Sequence, residues 1–95
     1  MILHIVNKSP FQHSALSQSL CALSEQDSVI LIEDGVLLLT NPDHCPGRPT
    51  AARLFVLESD CAARGLAPDP DIATVVNFDQ FVELVALHNK TISWF

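Results

Sequence analysis

Ser28-Val29-Ile30-Leu31-Ile32, followed at once by Glu33-Asp34-Gly35, is the stretch on which the fold turns. Four apolar residues in succession leave no polar face for water. Alternation marks a strand that is half exposed; an unbroken run stopped by an acidic pair and a glycine marks a strand covered on both faces. Such strands sit inside parallel sheets with helices packed above and below. An α/β architecture is therefore expected.

Upstream, residues 2–6 read as a first strand, short, β-branched and apolar, broken by Asn7-Lys8-Ser9-Pro10. Ser9 suits an N-cap, Pro10 the first helical position and Gln12 a capping box. The pattern predicts a helix running to about Leu23, with Leu16, Leu20 and Leu23 at i, i+4 and i+7 on its buried face. Glu25-Gln26-Asp27 reads as a polar turn into the second strand. Downstream, Val36–Leu39 fits either a short helix or a strand, and residues 40–52, with three prolines and a glycine, fit a loop.

Arg53–Leu57 reads as a third strand, and Ser59 as the cap of a short helix through Arg64 that Gly65 stops. Ile72–Val76 reads as a fourth strand. A last helix follows, capped by Asn77 or Asp79, with Phe78, Phe81, Val82 and Val85 on one face and Lys90 near its end, where a cation complements the helix dipole. Thr91–Phe95 closes the chain as a possible fifth strand, apolar enough that docking on its own sheet is expected. The order β-α-β-β-α-β-α-β predicts a mostly parallel sheet of four to five strands with helices on its faces, in a single small domain over residues 1–95.

The balance of charge excludes several functions. Eleven acids face five bases, a formal net charge of −6. A surface of that sign does not attract phosphate, so neither direct nucleic-acid binding nor an anionic membrane surface is expected. No run reaches the ~20 apolar residues that cross a bilayer, and the opening Met1–Val6 has no charged segment of a signal peptide. A cytoplasmic protein is expected. Three cysteines without a C-x-x-C pair argue against a disulfide framework and leave reduced thiols.

No phosphate-binding glycine loop, no dinucleotide fingerprint and no G-x-S-x-G elbow is present, so no cofactor is expected. Glu33 and Asp34 stand at the carboxyl end of a strand, where α/β proteins place functional groups, but with Gly35 they make an ordinary strand-ending turn. Asp43-His44-Cys45 holds three metal-ligating residue types, with His4 or His13 as further donors, yet lacks ligand spacing and lies in the proline-rich loop; no metal is expected. Each cysteine is a thiol candidate. Cys21 lies in the first helix beside its buried face. Cys61 lies in the first turn of a helix, where the dipole favours thiolate and Glu58 and Asp60 oppose it. Cys45 lies beside His44 and near Arg48. None is joined by a base and an orienting group at recognisable spacing, so the pattern itself assigns no catalytic residue.

Several segments together resemble one family. Leu3-His4 with Lys8-Ser9-Pro10-Phe11, Leu23-Ser24-Glu25-Gln26-Asp27 leading into Ile32-Glu33-Asp34-Gly35, Asp60-Cys61-Ala62-Ala63-Arg64-Gly65-Leu66, and the terminal Trp94 are similar, in order and spacing, to the TusB/DsrH proteins. The resemblance implies a parallel α/β fold. It implies assembly with TusC-like and TusD-like subunits into a heterohexamer that relays persulfide sulfur from a TusA-like to a TusE-like carrier. In the Tus pathway that sulfur reaches 2-thiouridine at the tRNA wobble position; in DsrEFH-type complexes it serves sulfur oxidation. The relay's essential thiol belongs to the TusD/DsrE-like subunit, near the end of the third strand. The matching place here is Leu57–Glu58, neither a cysteine, so the catalytic residue does not carry over. Some DsrH-type chains hold a cysteine in the first helix, the place of Cys21. The expectation is a non-catalytic subunit. Its rivals are an active sulfur carrier using Cys21 or Cys61, and a standalone small-molecule-binding α/β domain.

Overall fold

The computed structural model describes residues 1–95. Strands β1 (Ile2–Val6), β2 (Ser28–Leu31), β3 (Leu54–Leu57), β4 (Thr74–Val76) and β5 (Lys90–Trp94) form one sheet in the order β4-β3-β2-β1-β5, and every pair is parallel. Three α-helices connect them: α1 (Ala15–Cys21), α2 (Glu58–Ala63) and α3 (Phe78–Leu87). The segment that fitted either helix or strand is a 3-10 helix, Glu33–Thr40, and a second one, Pro42–His44, lies within the stretch read as loop. Four apolar residues in a row carry no period, so only packing could decide between the alternatives; Val36 and Leu38 are fully buried.

From β1 to β4 each connection steps one strand in the same direction; the last returns past all of them to lie beside β1. Parallel crossovers are right-handed, so a reversal of direction puts the connecting helix on the opposite face. The packing follows. On one face Val6, Val29, Leu31, Leu54 and Val56 meet Ala15 and Leu16 of α1, Val36 and Leu38 of the long 3-10 helix, and Cys61 of α2. On the other, Leu3, Ile30 and Val76 meet only Phe81 and Leu84 of α3. β2 stands between these layers, and Val29, Ile30 and Leu31 have no exposed surface.

The helix boundaries depart from the sequence pattern in three places. α1 starts at Ala15, after Ser14, and not at Pro10. The Ser9 hydroxyl accepts from the Phe11 N–H at 3.3 Å, and the Ser9 carbonyl accepts from Gln12 and His13, so Ser9 builds a turn in place of a cap. That turn is held from outside: His44 Nε2 donates to the Pro10 carbonyl at 3.2 Å and its ring packs on Phe11 at 4.7 Å. α2 begins at Glu58, which places Ser59 inside the first turn without a capping bond. Its end is as the sequence predicts: Gly65 has φ +66, and Leu66 and Gly65 donate to the Cys61 and Ala62 carbonyls, a Schellman closure. For α3 the cap is Asn77, in a reciprocal capping box with Gln80, and Lys90 belongs to β5 instead of the helix end.

The predicted buried faces shift as well. In α1 the buried residues are Ala15, Leu16 and Ser19, with Leu20 and Leu23 partly covered. In α3 Phe81 and Leu84 face the sheet, whereas Phe78, Val82 and Val85 are 63%, 55% and 40% exposed. The C-terminus docks as expected, Ile92 and Trp94 lying beside His4 and Val6, but Phe95 projects into solvent.

Candidate functional site

At the carboxyl edge of the sheet the acidic pair forms a turn with a purpose. Glu33 takes a left-handed φ of +48 and its N–H donates to Asp60 Oδ2 at 2.7 Å. Asp34 Oδ1 accepts from Arg64 Nε and Nη2 at 3.2 and 2.9 Å, and Arg64 Nη1 donates to the Asp60 carbonyl at 3.2 Å. The arrangement pins α2 to the exit of β2. Gly35 completes it by lying against the end of β1: a Cβ there would stand 2.5 Å from the Val6 carbonyl oxygen. The Asp34 and Asp60 carboxylates are taken up by the Arg64 guanidinium and the Glu33 N–H, which suits a joint between elements, while the Glu33 side chain stands exposed.

A second network is buried. His4 in β1, fully enclosed, lies 3.1 Å through Nε2 from Asp27 Oδ2 and accepts the Trp94 indole N–H at Nδ1, 3.0 Å away. An indole N–H only donates, so Nδ1 accepts and the ring proton sits on Nε2, aimed at the carboxylate. Asp27 also accepts from the N–H groups of Ile2 and Ser24 at 3.0 and 3.1 Å. Burial alone would push its carboxyl up; the Ser24 N–H, the His4 ring and the Ile2 N–H outweigh burial and hold it well below the usual carboxylate range. The residue read as part of a polar turn is thus a structural anion joining β1, β2 and β5.

The thiols do not meet. Cys21, at the last position of α1, is exposed, on the side of the helix opposite the buried Ala15, Leu16 and Ser19. Cys45 and Cys61 are buried in the main core. Burial pushes the Cys45 thiol up against the pull of Arg48, and burial followed by the Asp60 charge pushes Cys61 up against the pull of Arg64. The helix-start advantage expected for Cys61 is overridden by its surroundings. At the end of β3, Leu57 is half-buried and Glu58 exposed. Iodoacetamide at pH 8 is expected to modify Cys21 quickly, and Cys45 and Cys61 at least about tenfold more slowly, in the time of local opening. Mass spectrometry of tryptic peptides reads the order.

Asp43, His44 and Cys45 diverge: Asp43 is exposed 3.6 Å from Arg48, His44 is tied to Pro10, and Cys45 points into the core. No three of His, Cys, Asp and Glu come together in a metal-holding group. One open depression of ≈ 240 Å³ lies at the entry of β3 and β4, among Arg48, Thr50, Asp71 and Ile72. Its Arg48 is engaged by the Pro42 carbonyl at 2.9 Å. No helix is long and apolar enough to cross a membrane.

Pattern reading missed Asp27 and Gly35 as joints of the fold, although both lie inside the segments that carried the family resemblance. Those segments are the ones the two networks tie together: His4, Asp27 and Trp94 in the interior, and Asp34, Asp60 and Arg64 at the edge. Comparison with known proteins agrees. Residues 8–91 match the family described as DsrH like protein. Proteins named TusB from Yersinia pestis and Yersinia pseudotuberculosis are 35% identical over 105 residues, spanning 98% of this chain and 100% of theirs. The solution NMR structure of protein Tm0979 from Thermotoga maritima superposes with a TM-score of 0.68, covering 90% of this chain and 92% of that one; at 19% identity it speaks for the fold alone.

Proposed function

Since the chain belongs to the TusB/DsrH family of sulfur-relay subunits, we propose that it is the non-catalytic member of a TusBCD/DsrEFH-type complex. In this reading TusC-like and TusD-like chains complete a heterohexamer, a TusA-like carrier delivers persulfide sulfur and a TusE-like carrier removes it. The product is 2-thiouridine at the wobble position of tRNA, and the setting is the cytoplasm. The observation that carries the reading is the match to TusB over both full lengths. The structure adds that no thiol stands at the exit of β3, where Leu57 and Glu58 lie. A persulfide relay needs a thiolate in an electropositive, accessible place, and the two core thiols are pushed the other way.

The test is co-expression with the TusC-like and TusD-like chains of the same genome, followed by size exclusion at micromolar concentration and exposure to a persulfide donor. One co-eluting complex is expected, with the mass gain of one sulfur on the TusD-like chain. Separate elution of the three chains overturns the reading. The exposure of Cys21 favours one alternative, in which this chain carries sulfur itself. That alternative requires a one-sulfur mass gain here, abolished by Cys21→Ser.

A further inference from the structure

The two faces of the sheet are covered unequally. Five strands at about 4.8 Å spacing make a sheet roughly 20 Å wide, and one helix is about 10 Å across. α1, the long 3-10 helix and α2 share one face, but α3 alone stands on the other. Beside it Ile5, Ile32 and Phe55 remain only half-buried. α3 itself has no buried residue along its ten positions. Its exposed Phe78, Val82 and Val85, at i, i+4 and i+7, form a strip about a quarter-turn from the Phe81–Leu84 face that touches the sheet. The strip therefore flanks the helix along the sheet surface. A helix apolar on both its inner face and its flank is the pattern of one packed between two bodies.

Charge says which body. The helix carries Asp79 and Glu83 and no base, and the whole chain is at −6. A second copy would bring two more carboxylates to the same seam and set two chains of −6 against each other. Resting on the relay-subunit reading, we infer that the α3 strip, with the sheet surface beside it, is the docking face for a different subunit of the complex. That subunit presents an apolar helix bordered by lysine or arginine. A lone helix contact of about 15 Å is too small for a stable interface of roughly 800 Å² per partner. The contact accordingly extends from α3 onto the half-covered sheet surface.

The experiment compares three forms of this chain, each co-expressed with the TusC-like and TusD-like chains: the natural sequence, Val82→Lys, and the rim variant Asp79→Lys/Glu83→Lys. All three positions are exposed, so each form alone should show unchanged circular dichroism and melting. Val82→Lys is expected to weaken the complex about tenfold or more. The rim variant is expected to weaken it too and to remove its salt sensitivity. If the natural chain assembles and both variants assemble equally well, the α3 face is not the interface, while the relay-subunit reading stands. If the natural chain alone forms a dimer that Val82→Lys dissolves, the occupant is a second copy and the inference is overturned. If the natural chain assembles with neither sister nor itself, both the inference and the reading beneath it fall.

Discussion

Asp27→Ala is expected to remove about 3–5 kcal/mol of stability, because it strips the partner from two backbone N–H groups and a histidine ring in the interior at once. Asp27 is 2% exposed and receives Ile2 N, Ser24 N and His4 Nε2 within 3.1 Å. For a domain whose whole margin is about 5–15 kcal/mol, that is a fall in Tm of roughly 15–30 °C, or failure to fold. Asp27→Asn keeps the shape but turns an amide N–H toward a donor. It should fold, with a loss smaller than that of the alanine variant. The acid side separates a charge role from mere packing. The folded carboxyl lies below its ordinary value of 3.8, so its contribution is complete above that value and is lost as pH falls from there toward the folded pKa. The natural chain should therefore lose stability below about pH 4 more steeply than Asp27→Asn. Urea titrations at several pH values measure the slopes; equal slopes for the two would show that Asp27 does not act as a buried anion. Trp94 is the only tryptophan and there is no tyrosine, so intrinsic emission reports directly on the His4–Trp94 end of the network.

Gly35→Ala is the second large effect, expected at about 2–3 kcal/mol. The obstacle is space: the new Cβ would meet the Val6 carbonyl oxygen at 2.5 Å and its carbon at 3.3 Å, both backbone atoms. Val6 O already accepts the Ile32 N–H at 3.0 Å, so β1 cannot withdraw without losing that bond. The other glycines calibrate the result. Gly65→Ala is expected to cost about 1 kcal/mol through its positive φ. Gly47→Ala, with nothing within 4 Å of the added methyl, should lie within about 0.5 kcal/mol of the natural chain. Urea midpoints for the three variants give the ranking, and a Gly35→Ala midpoint no lower than that of Gly47→Ala would refute the close-approach argument.

Particular residues show how far the pattern could be read. All five strands coincide with apolar runs bounded by turn residues, their ends moved by at most two positions, as at Ile72, where β4 begins only at Thr74. Asn77 and Gly65 were legible because a cap and a left-handed stop act within a few residues of themselves. Ser9 misled because its local capping sequence competes with a contact to His44, more than thirty residues away. Cys21 misled because the arc of α1 that packs on the sheet centres on Ala15, Leu16 and Ser19 and not on the Leu16–Leu20–Leu23 stripe. Phe78, Val82 and Val85 show the opposite limit, since an apolar helical flank says that something covers it and not whether that something is this chain.

Composition and local pattern establish the α/β class, the parallel sheet, the sign of the net charge and the segments shared with the TusB/DsrH proteins. These follow from local rules, because a hydrophobic run, a turn residue or a cap acts on its immediate neighbours. Tertiary structure alone decided that His4, Asp27 and Trp94 form one hydrogen-bonded chain, that Gly35 must be bare, and that a flank of α3 is left open. His4 and Trp94 are 90 positions apart and His4 and Asp27 are 23. Trp94 reaches His4 only because β5 returns past three strands to lie beside β1, and Asp27 reaches it through the pairing of β1 with β2. That strand order is fixed by how the faces of the sheet are buried, a property of the packed whole that no short stretch of residues contains.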